Sequence, residues 1–210
     1  EMNNRVFGDI AIICRSWGHI KNLASVLQKS AIPVDIHIEK FFNVPIVKDV
    51  LAWGHLVIAD ERSEAALFRI LKDKMGYEWT SKFYSKLNKT SIDERLNALE
   101  KLSIKFPDIL WVLSTREKML RSYNKKQSPD EIVWDILKHL KDAPEIQHLR
   151  KNYRYKQRLN LANMAKLMLI AERFNAIEEN PTLKSWLQYM NILQRNMNIE
   201  AAQPEEYNKN

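Results

Sequence analysis

The chain has 210 residues and a formal net charge of +7, with 45% hydrophobic and 28% charged residues, which is enough apolar material for one large domain or for a domain plus a piece of another. No apolar run approaches the roughly 18–20 residues that cross a bilayer, and the N-terminus shows no signal-peptide pattern. The single cysteine, Cys14, excludes an internal disulfide and fits a reducing compartment, so a cytoplasmic protein with no membrane partner is expected.

In chain order, "DIAIIC" (9–14) is a short branched apolar run and reads as a buried strand, with Cys14 as a small buried hydrophobe rather than a reactive thiol. Gly18 to Ser30 follows with Ile20, Leu23, Ala24 and Leu27 at helical spacing, and "PVDIHI" (33–38) alternates like a strand. Two strands do not make a free-standing sheet. Residues 1–42 therefore read as an edge of a larger α/β domain.

Everything after Phe42 reads as helix. Pro45 suits a first turn, and Ile46, Val47, Val50, Leu51, Trp53 and Val57 form one stripe. Ser63 is placed as the cap of "EAALFRIL", and "SIDE" (91–94) and "SPDE" (128–131) both match a capping box. The helices they introduce carry Ile92, Leu96 and Leu99, then Ile132, Val133, Ile136, Leu137 and Leu140. Pro107 opens "DILWVLSTREKML", Leu159 to Ile177 is one long amphipathic helix, and Asn180-Pro181 precedes a last helix with Leu183, Trp186, Leu187, Met190 and Leu193. Trp53, Trp79, Trp111, Trp134 and Trp186 are assigned to the core, and residues 198–210 to a flexible tail. The last of the four glycines is Gly76, so later turns rest on Pro, Asn and Ser. The expected fold is mainly α, a multi-helix body with a small two-strand α/β element at its N-terminus.

The positive charge is uneven. Residues 116–158 hold 12 Lys/Arg against 6 Asp/Glu. Within them "RKNYRYKQR" (150–158) interleaves five basic residues with two Tyr, the mixture that binds single-stranded or junction DNA through phosphates and base stacking. The plainer reading is a solvated helix face. "NKK" (124–126) reads as a basic loop.

Catalytic patterns are missing. There is no GxxxxGK[ST] phosphate loop, no GxSxG and no HExxH, and His19, His37, His55, His139 and His148 have no metal-ligand spacing. The chain by itself is expected to be inactive.

Residues 9–71 resemble a segment of UvrD/Rep-type superfamily 1 DNA helicases and their helicase–nuclease relatives. The resemblance rests on Asp9, Ile10, Ala11, Ile12, Arg15 and Ser16, then Ile32-Pro33, Phe41-Phe42, Lys48-Asp49, Leu51-Ala52 and Leu56. "RLNLANMAKLMLIAERF" and "PTLKSWLQYMNIL" are similar to the closing helices of the family's accessory insertion, usually called 2B. Two departures stand out: Trp17 replaces a small polar residue, and "LKDKMGYEWTSKFYSKLNKT" replaces a Gly-rich duplex-binding turn. These point toward the helicase–nuclease or an archaeal-like branch.

The resemblance implies that residues 1–42 belong to the second RecA-like motor domain and 43–197 to the helical insertion. It implies a non-catalytic, DNA-contacting domain of an ATP-dependent helicase that unwinds DNA in repair or recombination. ATP and Mg would belong to the whole helicase, with no cofactor held here. Partners would be DNA, the rest of the motor and partner proteins. Arg15 and Ser16 stand where the family places single-strand contacts; Trp17 would stack on a base or else cover the apolar edge, and Lys21 lies one helical turn on beside His19. With Arg150, Lys151, Tyr153, Arg154, Tyr155, Lys156 and Arg158 they make up the expected DNA-binding set. The alternative is a helical protein–protein interaction module without DNA binding.

Overall fold

The computed structural model describes residues 6–15, 17–34, 40–88, 90–141, 154–196 and 199–202. Among these the chain forms nine α-helices: α1 (Trp17–Lys29), α2 (Pro45–Ile58), α3 (Ser63–Met75), α4 (Tyr77–Lys86), α5 (Ile92–Ser103), α6 (Pro107–Asn124), α7 (Pro129–Lys141), α8 (Arg154–Ile177) and α9 (Leu183–Asn196). Short 3₁₀ turns occupy Phe7–Asp9 and Phe41–Asn43.

Helix α2 is the centre of the body. Its sequence is apolar over most of its circumference, and Ile46, Val47, Val50, Ala52, Trp53, Gly54, His55, Leu56 and Val57 are all buried. A helix buried on several sides needs neighbours on several sides, and α3, α6, α7, α8 and α9 all pack against it. Gly54 permits the closest approach: a Cβ there would lie 3.1 Å from Leu187 Cδ2 of α9. Trp53 is 2% exposed and meets Trp111 of α6 edge to face, with centroids 5.9 Å apart. At its C-terminal end, Arg116 of α6 donates from Nε to the Leu56 carbonyl at 3.2 Å, satisfying an orphan acceptor where the helix dipole favours a cation.

The apolar stripes of α7 and α9 pack as their spacing dictates. Ile132, Val133, Ile136, Leu137 and Leu140 are buried, as are Leu183, Trp186, Leu187, Met190 and Leu193. The Ser91 box is complete: Glu94 N–H donates to Ser91 Oγ, and Ser91 N–H donates to the Glu94 carboxylate at 2.7 Å. The second box is half formed. Ser128 N–H donates to Glu131 at 3.0 Å, but the Ser128 hydroxyl turns to Asp130. With few glycines, left-handed turns fall on Ala31, Ala59 and Lys126, the last in the basic "NKK" loop.

Four expectations are corrected. Residues 9–14 form no strand. Asp9 ends a 3₁₀ turn, and Ile10, Ile12 and Ile13 are exposed, with Ile13 at 94%. A strand is defined by a pairing ladder, and the sole β-bridge among the described residues is Lys40 with Glu200. The second expected strand falls mostly on residues 35–39, outside the described residues. Cys14 is half-buried rather than buried. Ser63 is inside α3, whose N-cap is Arg62, and makes no capping bond. Trp134 is 52% exposed. At about 100° per residue it lies roughly 130° from the centre of the α7 stripe.

Candidate functional site at the neck of the helical body

The chain enters and leaves the helical body at one place. Lys40 pairs antiparallel with Glu200, and Phe41 N–H donates to the Ile199 carbonyl at 2.8 Å. Phe41 is fully buried and packs edge to face on Phe42, centroids 5.4 Å apart. These two aromatics anchor the incoming segment, and Pro45 then starts α2 with a φ already suited to helix.

The outgoing segment is held by α8. Asn163 heads the buried row Asn163, Leu167, Ala171 and Phe174 at helical spacing. Its side-chain N–H₂ donates to the carbonyls of Leu159 (2.8 Å) and Ala202 (3.1 Å), and its oxygen accepts from Ala202 N–H (2.8 Å). A primary amide thereby stands in for a neighbouring strand, offering donor and acceptor together. One turn further along, Lys166 donates to the Glu200 carbonyl at 2.8 Å and lies 5.5 Å from the Phe41 ring centroid. Ala201 and Ala202, expected in a loose tail, are buried at 3% and 1% exposure.

Beside this pairing lies a cleft of about 490 Å³ lined by Lys40, Asn43, Gln194, Arg195 and Asn196, with Phe42 and Ile199 as its apolar part. Among the described residues both charged linings are positive and no carboxylate lines it.

Elsewhere several polar groups are held in packing contacts. Arg95 is 7% exposed, sits 4.2 Å over the Tyr84 ring and pairs with Glu64 at 2.7 Å, without hydrogen-bond geometry. Tyr84 O–H donates to the Glu64 carbonyl at 2.9 Å, and burial, then the Glu64 charge, pushes its pKa far above the ordinary phenol value. Burial also raises the Asp49 carboxyl, against the pull of Arg69 at 2.6 Å. His55 Nδ1 lies 2.7 Å from Asp60, whose other oxygen accepts from Arg62 N–H. No cluster of three metal-ligating side chains occurs among the described residues. No described helix is long and apolar enough to cross a membrane.

Of the sequence-predicted DNA contacts, Arg15 is exposed in the segment before α1. Trp17 and Lys21 lie in α1, and Arg154, Tyr155, Lys156 and Arg158 in the first turns of α8, but their side chains are outside what is described. Ser16, Arg150, Lys151 and Tyr153 lie outside the described residues. Asn163, Lys166 and the polar cleft residues Lys40, Asn43, Gln194, Arg195 and Asn196 carry no motif in the sequence. The one available signal was an Asn on the apolar row of an amphipathic helix.

No curated protein matches the chain. The model of the UvrD-like helicase C-terminal domain matches residues 2–209, so the chain belongs to the UvrD-like helicase C-terminal domain family.

Proposed function

We propose that this chain is a non-catalytic, DNA-contacting accessory part of an ATP-dependent UvrD-like DNA helicase that unwinds DNA in repair or recombination. Residues 1–42 would belong to its second RecA-like motor domain and 43–197 to a helical insertion. The observation that carries this reading is the neck: Lys40 pairs with Glu200, so a body of about 160 residues hangs from two adjacent backbone segments. An insertion must have this form, because its host domain has to continue on both sides of it. The family membership and the basic residues 116–158 support the same reading.

ATP and Mg would be bound by the motor of the whole helicase, and this chain alone neither binds nor hydrolyses ATP. Calorimetric titration tests this; saturable micromolar nucleotide binding contradicts it. DNA contact is tested by fluorescence anisotropy of labelled single-stranded and junction DNA with the 210-residue chain. Binding in the non-specific range of roughly 10⁻⁴–10⁻⁶ M that weakens as salt rises is expected. Absence of DNA binding at low salt would overturn this reading in favour of a protein-docking module.

A further inference from the structure

We propose that the neck cleft is a phosphate-binding site in which Lys40 and Arg195 hold an oxyanion between the incoming and outgoing segments of the helical body. Its phosphate chemistry stands on the cleft alone; that the phosphate comes from a DNA backbone rests on the accessory-domain reading above.

Lys40 comes from the incoming segment and Arg195 from the last turn of α9, more than 150 residues later. Neither makes a side-chain hydrogen bond or ion pair with another described residue, nor do the amides of Asn43, Gln194 and Asn196. Two cations and three amides with no side-chain partner among the described residues thus line one concavity. The C-terminal end of α9 opposes anion binding, but a helix terminus carries only about half a charge against two full ones. Glu200, the nearest carboxylate along the outgoing segment, has a partner of its own and does not line the cleft. A site whose described lining holds cations and N–H donors and no carboxylate favours an anion with several acceptor oxygens. An Arg fork and a Lys point charge are the usual pair for phosphate. Lys40, Asn43, Gln194, Arg195 and Asn196 are all exposed, so the concavity is open to solvent and suits a phosphate at the surface. An anion seated there touches both sides of the neck, so its binding stiffens the junction between the body and what it hangs from.

The test uses the 210-residue chain in ¹⁵N-detected NMR. Inorganic phosphate should shift the side-chain amide signals of Asn43 and Asn196 with a saturable curve, and K40Q/R195Q should abolish that curve. Both substituted groups are unpaired, so thermal unfolding of the variant should match wild type; if it does not, the wild-type phosphate map still decides. K101Q/K105Q, at exposed positions, removes the same charge elsewhere. A dodecamer of thymidine should bind K40Q/R195Q about tenfold more weakly, with the salt slope reduced by roughly 1.4 for two lost contacts. K101Q/K105Q should change its affinity less than about twofold. Saturable phosphate shifts without oligonucleotide binding would uphold the site with a free phosphate compound as ligand and defeat the DNA-contacting reading instead. Shifts that never saturate, or that spread equally to Lys101 and Lys105, would overturn the site.

Discussion

Asn163 closes two hydrogen bonds on the backbone of Ala202, 39 residues away, with its oxygen accepting at 2.8 Å and its nitrogen donating at 3.1 Å. Both residues are at most 1% exposed, so water does not replace these bonds when they are lost. An unsatisfied buried group costs about 1–3 kcal/mol. Asn163→Leu orphans an N–H and a C=O at once and should cost about 2–4 kcal/mol in urea unfolding. Amide exchange at Ala202 should rise more than at Leu187 in the core. Unchanged protection at Ala202 would show that the outgoing segment is held by something else.

The Glu64–Arg95 pair predicts an asymmetry. The Arg95 side chain is 8% exposed and that of Glu64 is 38% exposed. Glu64→Ala leaves a buried guanidinium with only the Tyr84 face, and should cost about 3 kcal/mol, the low end for breaking a buried pair. Arg95→Met leaves a carboxylate on a side chain that is 38% exposed and replaces the stem with an apolar chain, so about 1 kcal/mol is expected. Equal costs in chemical denaturation would refute the desolvation argument.

Two serines that looked alike in sequence should behave differently. Ser91 accepts from Glu94 N–H as an N-cap, whereas Ser63 makes no cap bond. Ser91→Ala should lower stability by about 1 kcal/mol. Ser63→Ala should fall within about 0.5 kcal/mol of wild type, as alanine suits a first helical turn. Thermal unfolding of the two variants decides it.

Asp49 predicts a pH dependence with a definite sign. Burial raises its carboxyl above the usual value and outweighs Arg69. A group with a higher pKa in the folded state adds stability below its unfolded pKa of about 3.9, and that stability is lost as pH rises through the folded value. Asp49→Asn removes this dependence. The stability of the variant relative to wild type should therefore rise from about pH 3 to about pH 7, read from urea midpoints at each pH. A difference that falls instead would mean that the Arg69 ion pair outweighs desolvation.

Helices with long, unambiguous stripes were readable from the sequence. The rows of α7 and α9 needed only the 3.6-residue period, and the Ser91 box only a local pattern. What failed depended on distant partners. Residues 9–14 have strand composition, but composition supplies no neighbouring strand to pair with. The role of Asn163 is not legible locally, because its partner lies 39 residues downstream. Lys40 and Arg195 are unremarkable until folding puts both on one cleft. Trp134 differs in kind: its angle on the helix, set by sequence alone, already excludes it from the stripe.

The basic stretch at 150–158 offers a test that separates charge from stacking. If Arg150, Lys151, Arg154 and Arg158 contact phosphates, reversing their charge should weaken binding to all DNA sequences alike, since phosphate contacts carry no base information. Four contacts contribute about −3 to the wild-type slope of log affinity against log salt for single strands, and the reversed variant should lose that contribution. Tyr153 and Tyr155 act through a different term. Stacking contributes roughly 1–3 kcal/mol per base and displaces few counterions. Tyr153→Ala with Tyr155→Ala should therefore lower affinity while leaving the slope nearly unchanged. The pairing matters because a misfolded variant would lose both affinity and slope in either set, whereas a true interface separates them. If the charge-reversed chain binds single-stranded and junction DNA as tightly as wild type, residues 150–158 are a solvated face.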